Sequence, residues 1–179
     1  MSDYIYRKVS HLVSRWHTRD PFELLDCLHV VVSRSDRFHQ LKGFCLISCR
    51  TAYVVINSSL SAEEQRLVAA HELGHIVLHR RQLSLAPMQD SQLYDMTSHT
   101  EYEANLFAAD LLLSDQDVES CSDDPELDYF SLCRLLSVSP DLMSFKLFSL
   151  VKRGHPVNMP LELNSRFLKK TGSDSDRLS

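Results

Sequence analysis

The chain has 179 residues, a net charge of −5 and a hydrophobic fraction of 44%, enough for a real core without disulfide staples. Its 19 basic residues are scattered among 24 acidic ones, so there is no basic footprint for direct nucleic-acid binding, and no apolar run is long enough for a transmembrane helix. Five cysteines, an odd number, with no signal peptide, point to reduced thiols in the cytosol.

In chain order, Ile5, Val9, Leu12, Val13 and Trp16 recur at helical spacing and predict a helix from about Tyr4 to Trp16. Asp20-Pro21 opens a second helix, with Asp20 as cap, Pro21 in the first turn and Glu23 completing a capping box. Val30-Val31-Val32 reads as a short strand. Phe44 to Ile47 and Tyr53 to Ile56 read as two more, joined by a Ser-Cys-Arg-Thr turn into a hairpin. Cys45 and Cys49 fall in this strand-like sequence, where buried neutral thiols are commoner than metal ligands.

Ser61 and Glu64 form a capping box at the start of a helix that runs without proline to His79. That helix carries His71-Glu72-Leu73-Gly74-His75. Residues four apart share a helix face, so both imidazoles can reach one metal ion, while Glu72 projects about 100° round and stays free to take a proton from water. Gly74 costs a helix about 1 kcal/mol relative to Ala, which close approach by another backbone would compensate. Residues 80–97, with Pro87, show no period and read as a loop over the cleft, either a lid or a plain connector.

The next helix, Thr97 to Leu113, opens on a Ser98/Glu101 capping box and carries Glu103, Phe107, Asp110 and Leu111 at helical spacing. A catalytic metal site commonly has three protein ligands and one open position. Glu103, a turn above a Phe and Leu stripe, points inward more than a surface Glu should. Glu101, roughly 200° away, fits a solvated acid at a helix N-terminus. His99, four residues before Glu103, is a rival ligand, and spacing alone leaves the choice open. His79 reads as a neighbour of the site or a helix-end residue; His11, His17, His29, His39 and His155 read as surface groups. Asp124-Pro125 and Ser139-Pro140 predict two further helices, near Pro125 to Ser137 and Pro140 to Lys152, and residues 171–179 read as a disordered tail.

From about residue 20 to 150 the sequence resembles the ImmA/IrrE family of small zinc-dependent peptidases. The resemblance rests on Asp20-Pro21-Phe22-Glu23-Leu24-Leu25, Leu41-Lys42-Gly43-Phe44, Val55-Ile56-Asn57-Ser58-Ser59-Leu60, Ala70-His71-Glu72-Leu73-Gly74-His75 and Glu103-Ala104-Asn105-Leu106-Phe107-Ala108-Ala109. It departs at Cys27-Leu28-His29, where a glycine turn is more usual. The resemblance implies one zinc ion (Mn or Fe being possible) held by His71, His75 and Glu103, with Glu72 as general base. With the elements read above it gives a mostly helical α+β, zincin-like single domain, expected over residues 1–170, with a sheet of about three strands preceding the motif helix. It also implies a protein substrate, a helix-turn-helix repressor whose cleavage relieves repression. Tyr94, His99 and Tyr102 are candidate oxyanion donors. Peptidases of this type bind substrate as an added strand, for which Tyr53 to Asn57 and Phe44 to Ile47 are candidate edges. The alternative is a metal-stabilised module that sequesters a partner without cutting it; the intact Glu72 favours hydrolysis.

Overall fold

The N-terminal apolar stripe forms α1 (Ser2–Trp16), which buries Ile5, Val9 and Leu12. A computed structural model describes residues 1–38, 40–85, 88–90, 98–122 and 128–155, with no side-chain description at 88–90 and 122. Asp20 caps α2 (Pro21–Cys27), its carboxylate accepting from the Phe22 and Glu23 amides. Of the three valines, Val31 and Val32 open β1 (Val31–Ser35), which pairs in parallel with β3 (Thr51–Asn57). β3 pairs antiparallel with β2 (Gly43–Ser48). The β2–β3 loop is two residues, Cys49 and Arg50, both at positive φ (49° and 67°), the twist that a tight hairpin requires.

The expected sheet of about three strands therefore forms, and a short fourth joins it. β4 (Met88–Asp90) pairs with Gly43–Cys45 of β2, giving the order β1-β3-β2-β4. This order makes β3 central, so Tyr53 to Asn57 is not an edge. It also leaves β4 beside the Gly43 end of β2 and pairs nothing, among the described residues, with the outer side of Leu46–Ser48.

Ser61 and Glu64 form the full reciprocal box at the start of α3 (Ala62–Leu78). Every residue from Val68 to Ile76 is buried, so this stretch of α3 is enclosed on all sides, while the first turns of the helix reach the surface. The segment expected to be a loop instead holds α4 (Arg80–Leu83), whose Leu83 is buried, before β4. The remainder of the segment read as a lid or a plain connector, residues 86–87 and 91–97 with Tyr94, lies outside the described residues.

Ser98 caps α5 (His99–Leu112), which packs along α3. An unexpected helix, α6 (Asp115–Ser122), follows, with Ser114 accepting from the Asp117 amide. α7 (Tyr129–Leu135) starts at an Asp128 cap, so the expected Asp124-Pro125 start also lies outside the described residues. α8 (Pro140–Lys152) begins at its Ser139 cap as the sequence predicts. No described helix is long and apolar enough to cross a membrane. Residues 171–179, read as a tail, and His39 are outside the described residues.

Gly74 sits where α3 meets α5. A Cβ added there would lie 3.2 Å from the Ala104 Cα and 3.2 Å from the Phe107 side chain. The close approach expected of this glycine is thus the α3–α5 contact itself. Gly74→Val should wedge the helices apart and lower stability by about 1–3 kcal/mol, read from the urea midpoint, despite any gain in helix propensity.

Candidate metal centre

Two packed helices build the site. His71 and His75 lie one turn apart on α3 and are 1% and 0% exposed. Their Nε2 atoms are 3.0 Å apart. Glu101, in the first turn of α5, places one carboxylate oxygen 3.2 Å from His71 Nε2 and the other 3.4 Å from His75 Nε2. These three side chains are the one group among the described residues whose donor atoms all converge as metal ligands do.

The carboxylate in this position is Glu101, whereas the sequence pointed to Glu103. Glu103 is instead bonded to His79, at 2.9 Å, and lies 3.3 Å from His99 Nδ1. The reason is the register of α5. Ser98 accepts from the Glu101 amide, but the Glu101 carboxylate does not return to complete a capping box and turns to the two imidazoles. The apolar stripe that seemed to mark the Glu103 face carries no such information, because α5 is buried almost without a break from Tyr102 to Leu111.

Asn105, to which the sequence reading assigned no role, shares the Glu101 face four residues on and lies 2.9 Å from His71 Nδ1. Its amide oxygen takes the Nδ1 proton, leaving the His71 Nε2 lone pair directed inward. A polar residue in the buried, mostly apolar stretch of α5 was the signal available in the sequence, one it shares with Asp110.

The donor set fits a divalent cation on chemical grounds. With the imidazole Nδ1 atoms engaged outward, two nitrogen lone pairs and a carboxylate face one another at 3.0 to 3.4 Å. Only a cation, a proton or a metal, relieves that convergence. Tetrahedral nitrogen ligands of zinc stand about 3.3 Å apart, close to the spacing present. Burial disfavours the Glu101 anion, but bonds from His71 and His75 outweigh it and hold the carboxyl well below the usual carboxylate range. Burial also lowers the His79 pKa from its ordinary 6.5, an effect the Glu103 bond only partly offsets.

Glu72 is fully buried on α3 beside the pair. A Cβ at Gly43 would stand 3.1 Å from Glu72 Oε1 and 2.5 Å from Val68 Cγ1, so this glycine makes room where β2 passes the carboxylate. Of the other candidates, His99 is 70% exposed and touches Glu103. Tyr102 packs its ring against Phe145 and Phe148 of α8, and burial pushes its phenol well above its ordinary 10.0. Cys45 is buried and Cys49 exposed, and neither joins the cluster.

A His-x-x-x-His pair on one buried helix, a carboxylate from a second and an adjacent buried glutamate define a metallopeptidase-like centre. Residues 28–148 match the peptidase M78 family, described as the IrrE N-terminal-like domain, and the chain belongs to that family. The "uncharacterized immunity region protein 2" of Bacillus phage phi105 is 36% identical over 107 residues, 60% of this chain and 66% of that protein. The metallopeptidase ImmA of Bacillus subtilis (strain 168) is 28% identical over 112 residues, 63% of this chain and 64% of that protein. The matched stretch spans just under two thirds of the length of each relative.

Proposed function

We propose that this chain is a zinc-dependent endopeptidase of the cytoplasm that cleaves a helix-turn-helix repressor. The observation that carries the reading is the convergence of His71, His75 and Glu101 beside buried Glu72. The immunity-region name of one relative and the metallopeptidase name of the other support the regulatory and hydrolytic halves of the reading respectively.

His71, His75 and Glu101 would hold the ion, which when bound supplies Lewis acidity to a peptide carbonyl and to water. Glu72 takes the proton from the attacking water and delivers it to the leaving amine, and its burial keeps bulk water from competing. Among the described residues the outer side of Leu46–Ser48 on β2 has no partner, and an extended substrate segment is expected to add there, beyond the Gly43 end that β4 covers.

The test is incubation of the purified chain with a helix-turn-helix repressor, taken from a neighbouring gene where one is encoded there, read by loss of intact repressor and by mass of the fragments. Cleavage should stop with chelator. Glu72→Gln should slow it by about 10²–10⁴-fold while zinc content and repressor binding persist. Relief of repression by Glu72→Gln at the wild-type level, without fragments, would replace hydrolysis by sequestration.

A further inference from the structure

His79 and Glu103 lie next to the candidate ligands without joining them. His79, at the C-terminal end of α3, is 3% exposed, and its Nδ1 lies 3.1 Å from Nδ1 of His75. Its other nitrogen, Nε2, lies 2.9 Å from Glu103 Oε2. We propose that His79 is a positioning residue, and Glu103 its anchor, which together fix His75 in the tautomer whose Nε2 lone pair faces the metal. The inference rests on the metal centre proposed above and adds how one of its ligands is selected.

Two facing Nδ1 atoms admit one proton between them, so the pair has two arrangements. In one, His75 donates from Nδ1 to His79, and His79 donates from Nε2 to Glu103. His75 then presents a bare Nε2 to the ion. In the other, His79 donates to His75, whose own proton moves to Nε2 and blocks the site. That second arrangement also turns the bare Nε2 of His79 towards the Glu103 carboxylate, lone pair against anion. A carboxylate can only accept, so Glu103 excludes the blocking arrangement.

The geometry also explains why two acids on α5 have divided roles. Glu101 and Glu103 are two residues apart and roughly 200° round the helix, so both cannot face one point. Glu101 reaches the inner nitrogens of the imidazole pair, while Glu103 meets His79 one turn further along α3. His71 is oriented by a neutral amide, Asn105, and His75 by an imidazole backed by an anion.

The test is zinc affinity, measured by competition with a chromophoric chelator, together with the visible spectrum of the Co²⁺-loaded chain. Asparagine places an amide oxygen where histidine has Nδ1, so His79→Asn keeps an acceptor for the His75 proton. His79→Phe keeps the bulk and loses the acceptor. Both variants are neutral, so a difference between them is not a change of charge. Glu103→Gln offers His79 a donor and so admits the blocking arrangement.

Expected are a loss of zinc affinity of about 10–100-fold for His79→Phe and Glu103→Gln, a shifted Co²⁺ spectrum for both, and near-wild-type values for His79→Asn. Wild-type affinity and spectrum in His79→Phe and Glu103→Gln would overturn the proposal, as would an equal loss in His79→Asn and His79→Phe. Should His79→Phe not fold, the contrast between His79→Asn and Glu103→Gln decides in the same way. A wild-type chain that binds no zinc overturns the metal centre itself, a result distinct from binding that the variants leave unchanged.

Discussion

Glu101→Ala is expected to yield a folded chain that retains no zinc after dialysis and cleaves no repressor, whereas Glu103→Ala keeps zinc at about 10–100-fold weaker affinity. The two residues differ in what their oxygens touch. Glu101 offers both of its oxygens to the cluster, at 3.2 and 3.4 Å from the two Nε2 atoms, and its removal would leave the proposed site two donors where a catalytic ion needs three. Among the described residues the Glu103 carboxylate meets His79 and His99, so its removal disturbs His75 through an intermediate. Inductively coupled plasma analysis after dialysis, paired with the cleavage assay, separates the two. Zinc retained by Glu101→Ala and lost from Glu103→Ala would return the ligand role to the residue that the sequence favoured.

The contrast shows what a sequence makes legible. Caps are local chemistry, and Asp20-Pro21, Ser61/Glu64, Ser98 and Ser139-Pro140 each start a helix where the sequence places it. The His71/Glu72/His75 register follows from one helix and is equally local. The hairpin turn is legible too, although two non-glycine residues carry its positive φ angles. The carboxylate that joins the two imidazoles, Glu101, is not local. It depends on how α5 is rotated against α3, and a helix buried on nearly every side gives no amphipathic stripe from which to read that rotation. Helix α6 was missed for the opposite reason, being short, acidic and poor in apolar residues. The pairing of β4 with β2 joins segments more than forty residues apart and has no sequence signature beyond a brief extended stretch.

The other feature that sequence reading missed is a buried ion network, and it carries the largest expected effect on stability. Lys146 of α8 is 0% exposed, with its ammonium 3.0 Å from Asp110 of α5 and 2.6 Å from Asp115 of α6. Ser149 donates to the second Asp110 oxygen at 2.8 Å, and Ser2 of α1 donates to Ser149. Arg153 grips Asp115 with two bonds, at 2.7 and 2.8 Å, and its guanidinium lies 3.6 Å from the centre of the Tyr6 ring. Two cations meet two anions, so loss of any one member leaves a net charge in the network. Lys146→Met removes one cation and leaves Asp110, 1% exposed, without its ion-pair partner, which should cost about 3–5 kcal/mol in chemical denaturation.

Removing both charges should cost much less, so Lys146→Met combined with Asp110→Leu is expected to recover most of the loss. A double variant as unstable as the single one would mean that Lys146 contributes packing and not charge. The pH dependence gives a second reading. Burial opposes ionisation of Asp115, but the bonds from Arg153 and Lys146 prevail and hold its carboxyl well below the ordinary 3.8. A depressed carboxyl contributes stability that is present above its unfolded pKa and is lost as pH falls through the folded one. The wild-type chain should therefore lose stability below about pH 4. The gap to Lys146→Met should narrow over the same range, because a protonated Asp115 no longer rewards the lysine that faces it.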